Sequence, residues 1–391
     1  MRLVLRMKEN LLKIHQAAIA RNLPFVTFRM PQQEFGTTFI QTEPGDVQWK
    51  SIRDISSETG FLMAPFDTRN GHRYILIRPD LIIRGDNISR EHLKMVESLP
   101  ARTLRLWNGH SPVVTGQQAY MKQVNAIKSS ISTGAFQKAV LSRIRLVEGD
   151  HLSKIPKLFQ AMCRRHPNAF VYLFRSDENF WMGASPEPLM RLRDGKISTV
   201  SLAGTRPYAE RHMNINKWTA KEVLEQEYVT RYIHDVLWDF KIRDYRVSSP
   251  YVKKAGNLVH IRTDFSFDFE KINGRLWEFV DAMHPTPAVA GHPKEDAIRF
   301  IKSLEPHDRD YYTGFLGPVN HEHHIDLFVN LRCLKITPRY LALYVGGGIT
   351  LDSDPADEWN ETRWKAESLL KLLRSYIREL PPAHASSTTY R

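Results

Sequence analysis

GAFQKAVLSRIRLV, residues 134–147, reads as a buried β-strand, because Lys138, Val140, Ile144 and Leu146 recur at period two on one face. A lysine in that row loses hydration, and desolvation lowers its pKa toward the range of a working base. The plainer alternative is a lysine that snorkels from the strand end. Outward from this strand, from Val124 on, short strands alternate with capped helices, and ionisable residues fall where periodicity turns them inward. Residues 1–123 read as a helix, then strands, then mixed structure. Phe25 to Gln41 alternates in strand fashion, and RYILIRPDLII, 73–83, is β-branched and apolar. That part carries no catalytic constellation. No Gly/Ser linker, low-complexity block or internal repeat interrupts the chain, which predicts one compact domain with a working region at 124–375. The polar segment PPAHASSTTYR, 381–391, predicts a disordered tail.

Composition narrows the class. The 391 residues are 42% apolar, 25% charged and 10% aromatic, enough for a large core and unlike a disordered or fibrous chain. Two cysteines, Cys163 and Cys333, supply neither a disulfide framework nor a thiolate zinc site, which fits a reducing cytoplasm. Arg2, Arg6, Lys8 and Lys13 break up the apolar residues at the N-terminus, so no secretory leader is expected. No stretch nears the roughly 18 apolar residues of a membrane span. The net charge of +12 could serve a nucleic-acid binder, but the cations are scattered and no recognition motif accompanies them. A field that favours a small anionic substrate is the better reading.

Two helices carry inward acids. Thr219-Ala220-Lys221-Glu222 has the form of a capping box, and Val229, Ile233, Val236 and Leu237 mark the buried stripe behind it. Glu225 lies on that stripe, with Lys221 four residues back as the ready partner for a simple salt bridge. Asp354-Pro355 opens a second helix on which Glu358, Glu361 and Lys365 share a face running into Leu369 and Leu372. A Glu–Lys surface pair is the plain reading there too. Two inward acids on two helices suggest instead a shared hard cation such as Mg²⁺.

Three other places hold groups that must be aimed. Glu187 stands between Pro186 and Pro188, on a stiff backbone. LAGTRP, 202–207, predicts a tight turn in which Gly204 admits a ligand to the backbone. LFVNLRCLKI, 327–336, predicts one strand with Arg332 facing as Phe328, Leu334 and Ile336 do, in want of a carboxylate or phosphate. YLALYV then runs into Gly346-Gly347-Gly348, an unobstructed backbone floor that is neither a Walker nor a Rossmann fingerprint.

Taken in order, KAVLSR, GASPEPLMR, LAGTRP, the Lys221 helix start, MHPTPAVAG, LEPHDRDYYTGFLG, NLRCLKI, GGGI and EWNETRWK resemble the chorismate-binding enzymes: the isochorismate, anthranilate, aminodeoxychorismate and salicylate synthases. The resemblance spans roughly residues 124–375. It implies an α+β fold, a single domain of two stacked antiparallel sheets with helices outside, working as a monomer or weak homo-oligomer. It further implies chorismate as substrate, with Mg²⁺ on the ring carboxylate. Glu225 and Glu361 would be the metal ligands, with the acids Glu222 and Glu358 behind them. Arg332 and Lys365 would hold carboxylates, Gly204, Thr205 and the Gly346–Gly348 turn would line the floor, Tyr312 would pack nearby, and His260 and His284 match positions near the pocket. Lys138 matches the lysine that activates water in the isochorismate and salicylate branches, and Glu187 would be the general acid. Ala203 stands where aminodeoxychorismate synthases carry a nucleophilic lysine, which disfavours that branch. Gln226 departs from the histidine common after the metal-binding glutamate, which touches local hydrogen bonding only. The resemblance is strongest to isochorismate synthases of the menaquinone or siderophore type. The alternatives are a salicylate synthase, which would go on to expel pyruvate, and a non-catalytic anion or nucleic-acid binder on the same fold.

Overall fold

A computed structural model describes residues 2–43, 47–55, 57–85, 87–103, 111–176, 178–255 and 258–377. The expected tail, 381–391, lies outside the described residues. The helices are α1 (Arg2–Ala20), α2 (Arg90–Ser98), α3 (Gln117–Ser132), α4 (Ile155–Arg165), α5 (Ala220–Asp239), α6 (Leu276–Met283), α7 (Lys294–Leu304) and α8 (Pro355–Arg374). The strands begin with β1 (Phe25–Arg29), β2 (Thr37–Ile40), β3 (Val47–Trp49), β4 (Gly60–Ala64), β5 (Tyr74–Ile77) and β6 (Leu81–Arg84). They continue with β7 (Lys138–Glu148), β8 (Phe170–Arg175), β9 (Phe180–Ser185), β10 (Pro188–Arg193), β11 (Lys196–Pro207), β12 (Arg246–Val247), β13 (Tyr251–Ala255) and β14 (Leu258–Asp268). Last come β15 (Gly291–His292), β16 (Phe315–Val319), β17 (Ile325–Val329), β18 (Cys333–Ile336) and β19 (Tyr340–Ile349).

Two antiparallel sheets result, as expected. One runs β15-β7-β19-β18-β9-β8-β1-β2-β6; the other runs β12-β14-β11-β10-β17-β16-β4-β5-β3, with β13 also on β14. Their facing sides close over an aromatic-rich layer in which Phe170 of one sheet stacks on Phe328 of the other, centroids 4.2 Å apart. Helices α1, α2, α4 and α8 bury the outer side of the first sheet, and α5 and α6 that of the second. A strand covered on both sides has no solvent face, so β1 is buried at every position and the alternation expected over 25–41 is not one of exposure. The N-terminal strands extend both sheets at one edge, and residue 123, the expected boundary, falls inside α3.

The chain changes sheets at short corners. RYILIRPDLII is not one strand: β5 belongs to one sheet and β6 to the other. LFVNLRCLKI divides the same way into β17 and β18, and Arg332 occupies the corner with a left-handed φ of +49°. Arg332 therefore does not share a strand face with Leu334, contrary to the expectation. A second corner, Pro186-Glu187-Pro188, joins β9 to β10. The two corners lie side by side and are laced together: Val329 N–H donates to Glu187 O (3.0 Å), and Ala184 N–H to Arg332 O (3.1 Å). At a corner the backbone leaves its ladder, so a side chain there is not bound to a sheet face. That is where this fold places Glu187 and Arg332.

Candidate active site

A cleft of about 700 Å³, open at its mouth, lies beside those corners. Glu187, Gly204, Thr205, Glu225, His260, Tyr312, Arg332, Gly346, Gly347, Gly348 and Lys365 all line it, so the structure gathers most of the expected residues. Ala203 lines it too.

Its floor is the end of β19. The three glycines are not a turn, as expected, but strand residues laddered to β7, Gly348 opposite Val140 and Gly346 opposite Ser142. They keep side chains off the sheet where others crowd in. A Cβ on Gly347 would lie 3.1 Å from Glu358 Oε2 and 3.5 Å from Glu361 Oε1, and one on Gly348 would overlap Glu225 and come 2.9 Å from Lys138 Cε. Three carboxylates from α5 and α8 thus converge over bare backbone. We expect Gly348→Ala to lower kcat by about 10²-fold, the cost of a displacement near 1 Å. A melting temperature and circular dichroism spectrum close to wild type would locate the damage in the site.

Helix α5 begins at the predicted capping box: Glu222 reaches back to Thr219 N (3.0 Å). Glu222 also takes Arg206 on both oxygens, at 2.7 and 3.1 Å, and packs under Gly204. Burial would raise its pKa, but Arg206 and Thr219 hold it below the usual carboxylate range. With its oxygens engaged by Arg206 and Thr219, it fixes the approach of β11 to α5. Residues 202–207 are likewise not a free turn but part of β11, irregular between Ala203 and Arg206, with Gly204 at φ +68°. Gln226 is buried, its Nε2 2.8–3.0 Å from the hydroxyls of Ser201, Thr230 and Thr263, tying α5 to β11 and β14 one residue from Glu225.

The cations are paired otherwise than helix spacing suggests. Lys221 does not meet Glu225; its Nζ lies 2.6 Å from Glu358 Oε1, which also accepts from Ser353 Oγ at 2.6 Å. Glu225 instead faces Lys138, whose Nζ is 3.2 Å from Oε1 and whose side chain is wholly buried. Lys138 opens β7 and does not snorkel. The i,i+4 pair Glu361–Lys365 does form, at 2.7 Å, and Lys365 also donates to Gly346 O at 2.8 Å.

Glu187 is 6% exposed, and burial raises its pKa to about 8 against the pull of Lys138, Lys365, Arg262 and Arg332. It is therefore a protonated acid at neutral pH. His260 donates from Nδ1 to Gly204 O (3.0 Å), and burial, then Arg332 and Lys365, lower its pKa to about 3. The ring is neutral, and its buried Nε2 is an acceptor without a partner among the described residues. Burial lowers the Arg332 pKa to about 10, and its guanidinium has no carboxylate partner among the described residues.

His284 is not at the cleft. Its Nε2 is 3.1 Å from Pro65 O and its ring meets Phe315 edge-on, so it secures the segment behind the wall rather than touching a substrate. Ala288 and Val289, from the same MHPTPAVAG stretch, line the cleft instead. Apolar wall residues carry no chemical signature, so they were not foreseen. The buried pair Glu305–Arg309 (2.6 Å) was also missed, although LEPHDRD displays both residues. Arg309 holds Val289 O at 2.9 Å and Val140 O at 2.5 Å, and Glu305 holds Ser142 N at 2.6 Å, so the pair joins wall to floor.

Among the described residues no three His, Cys, Asp or Glu side chains form a ready metal cage. Mg²⁺ needs only one or two carboxylates, completing its shell with water and substrate. The orphaned, buried Glu358 Oε2 facing Gly347 and the convergence of Glu225 and Glu361 fit such an ion. Burial, then Glu361, raise the Glu358 pKa, the strain a cation would relieve.

Comparison with known proteins identifies the family. Residues 75–374 match the family described as chorismate binding enzyme. The chain is 27% identical over 356 residues to the salicylate biosynthesis isochorismate synthase of Pseudomonas aeruginosa, covering 86% of this chain and 73% of that one. It is 25% identical over 318 residues to the vibriobactin-specific isochorismate synthase of Vibrio cholerae, covering 79% and 78%. A crystal structure described as a 2,3-dihydroxybenzoate-specific isochorismate synthase of Bacillus anthracis superposes with a TM-score of 0.72 at 23% identity, over 92% of this chain and 99% of that one, a likeness of fold.

Proposed function

The chain belongs to the chorismate binding enzymes, and from that premise we propose that it converts chorismate to isochorismate. The observation that carries the reading is a buried amine, Lys138, packed against the cleft-lining Glu225 and Gly348, set against a buried, protonated carboxyl, Glu187, at the corner. Lys138 takes a proton from water as the water oxygen bonds to ring C2. The two ring double bonds each shift by one position, the C4–O bond breaks, and Glu187 gives its proton to the departing hydroxyl. Water enters and water leaves, so the reaction is an isomerisation. Arg332 binds a substrate carboxylate, the neutral His260 Nε2 accepts a substrate hydroxyl, and the bare backbone of Gly346–Gly348 lets the ring lie against the sheet. Glu225, Glu361 and Glu358 would hold Mg²⁺, which would polarise the ring carboxylate.

Incubation of the protein with chorismate and Mg²⁺, followed by chromatography, tests the assignment. Isochorismate without pyruvate is expected, and EDTA is expected to abolish it. Calorimetric titration with Mg²⁺ should show binding that Glu361→Gln weakens at least tenfold, as loss of one of few ligands does. Salicylate with pyruvate would move the protein to the neighbouring branch, and an unchanged mixture would overturn the reading.

A further inference from the structure

A second, wider hollow, about 1990 Å³ including its open mouth, adjoins the cleft and shares Pro186, Leu202, His260 and Arg332 with it as a common wall. Its lining holds Arg165, Arg191, Lys253, Lys254, Arg262 and Arg332, and not one aspartate or glutamate. Two of these cations are partly neutralised from behind, Arg191 by Asp326 at 3.0 Å and Arg262 by Asp264 at 2.5 Å. Arg165 and Lys253 are exposed and, with Arg332, have no carboxylate partner among the described residues. The field is felt by the neighbouring ring of His166, whose pKa is lowered to about 4 by burial first and then by Arg332 and Arg165.

The geometry points to this hollow as a capture vestibule for a small dicarboxylate, which it draws from solvent and passes to Arg332 at the inner wall. The inference rests on the chorismate reading, since chorismate is such a dianion. At the inner cleft Lys138 and Lys365 already face Glu225 and Glu361, while Arg332 has no carboxylate partner among the described residues and lines both hollows. A dianion that enters through the vestibule therefore meets uncompensated cations before it reaches Arg332. One-signed clefts with low-dielectric walls raise association rates, and salt removes the effect within a Debye length of about 8–10 Å.

Stopped-flow mixing with chorismate, read by tryptophan fluorescence (Trp218 packs beside Gly204), measures association directly. At low ionic strength Lys253→Glu and Arg165→Glu are each expected to slow association by about three- to tenfold, with Lys253→Gln in between. The gap should close above roughly 0.3 M salt, and kcat should not change. Lys94→Glu, on α2 against α1, makes the same change in net charge and should leave association unaltered. Wild-type association rates in the vestibule variants, a gap that persists in high salt, or an equal effect of Lys94→Glu would overturn the vestibule. Salt-dependent association of chorismate with no isochorismate formed would overturn the reaction assignment and leave the vestibule standing.

Discussion

Lys138→Ala is expected to lower kcat by about 10²–10⁴-fold, the usual worth of a positioned proton acceptor. The side chain is wholly buried, opens β7, and has its amine 3.2 Å from Glu225 and its Cε over Gly348. The nearby amine of Lys365 already spans Glu361 and Gly346 O, and the carboxylates over the floor are the groups that would hold Mg²⁺, which leaves the amine of Lys138 as the proton acceptor of this reading. The substitution also removes a buried methylene chain and leaves Glu225 facing a gap, so some loss of stability is expected. Lys138→Met fills that space without the amine. If the amine is the base, both variants fail equally in turnover while only the alanine protein melts early. Full turnover by the methionine variant would remove Lys138 from the mechanism.

The second large effect concerns Glu187. Glu187→Gln keeps the shape and loses the transferable proton, and kcat is expected to fall by about 10²–10⁴-fold. The wild-type enzyme should also lose rate as pH rises through about 8, where the carboxyl gives up its proton. Stability moves in a definite direction too. The folded pKa lies above the ordinary value of 4.5, so between pH 4.5 and about 8 the native state binds more protons than the unfolded one. This group's contribution is fully present below the lower value and is lost as pH rises, with a slope of up to about 1.4 kcal/mol per pH unit. The glutamine variant lacks that slope and should melt higher than wild type at pH 8 while being nearly inactive. A Glu187→Gln protein that is both fully active and equally pH-sensitive in stability would refute the assignment.

Much of the site was legible because its signals are local. Capping boxes and N-caps are spelled within four residues, and both helices begin where Thr219 and Asp354 say they do. Period two marked β7 and its inward lysine, and flanking prolines marked Glu187. The expectation of one strand over 327–336 failed because that run crosses between sheets, as the apolar run 73–83 also does, and neither composition nor period registers a crossing. His284 was over-read for a related reason, since a ring's chemistry is visible in sequence and its burial against Pro65 and Phe315 is not.

The sequence by itself determined the starts of α5 and α8, the inward turn of their acids and the glycine floor, because each depends on contacts within a few residues. Tertiary structure alone decided which charge answers which. Lys221 could reach Glu225 along its own helix, yet it bonds Glu358 on another, while Glu225 turns to Lys138 at the end of a strand. Those choices follow from how α5 and α8 close over β7 and β19, a packing set by core contacts far apart in the chain. The two corners, laced by hydrogen bonds between residues some 140 apart, put Glu187 and Arg332 at the cleft for the same reason.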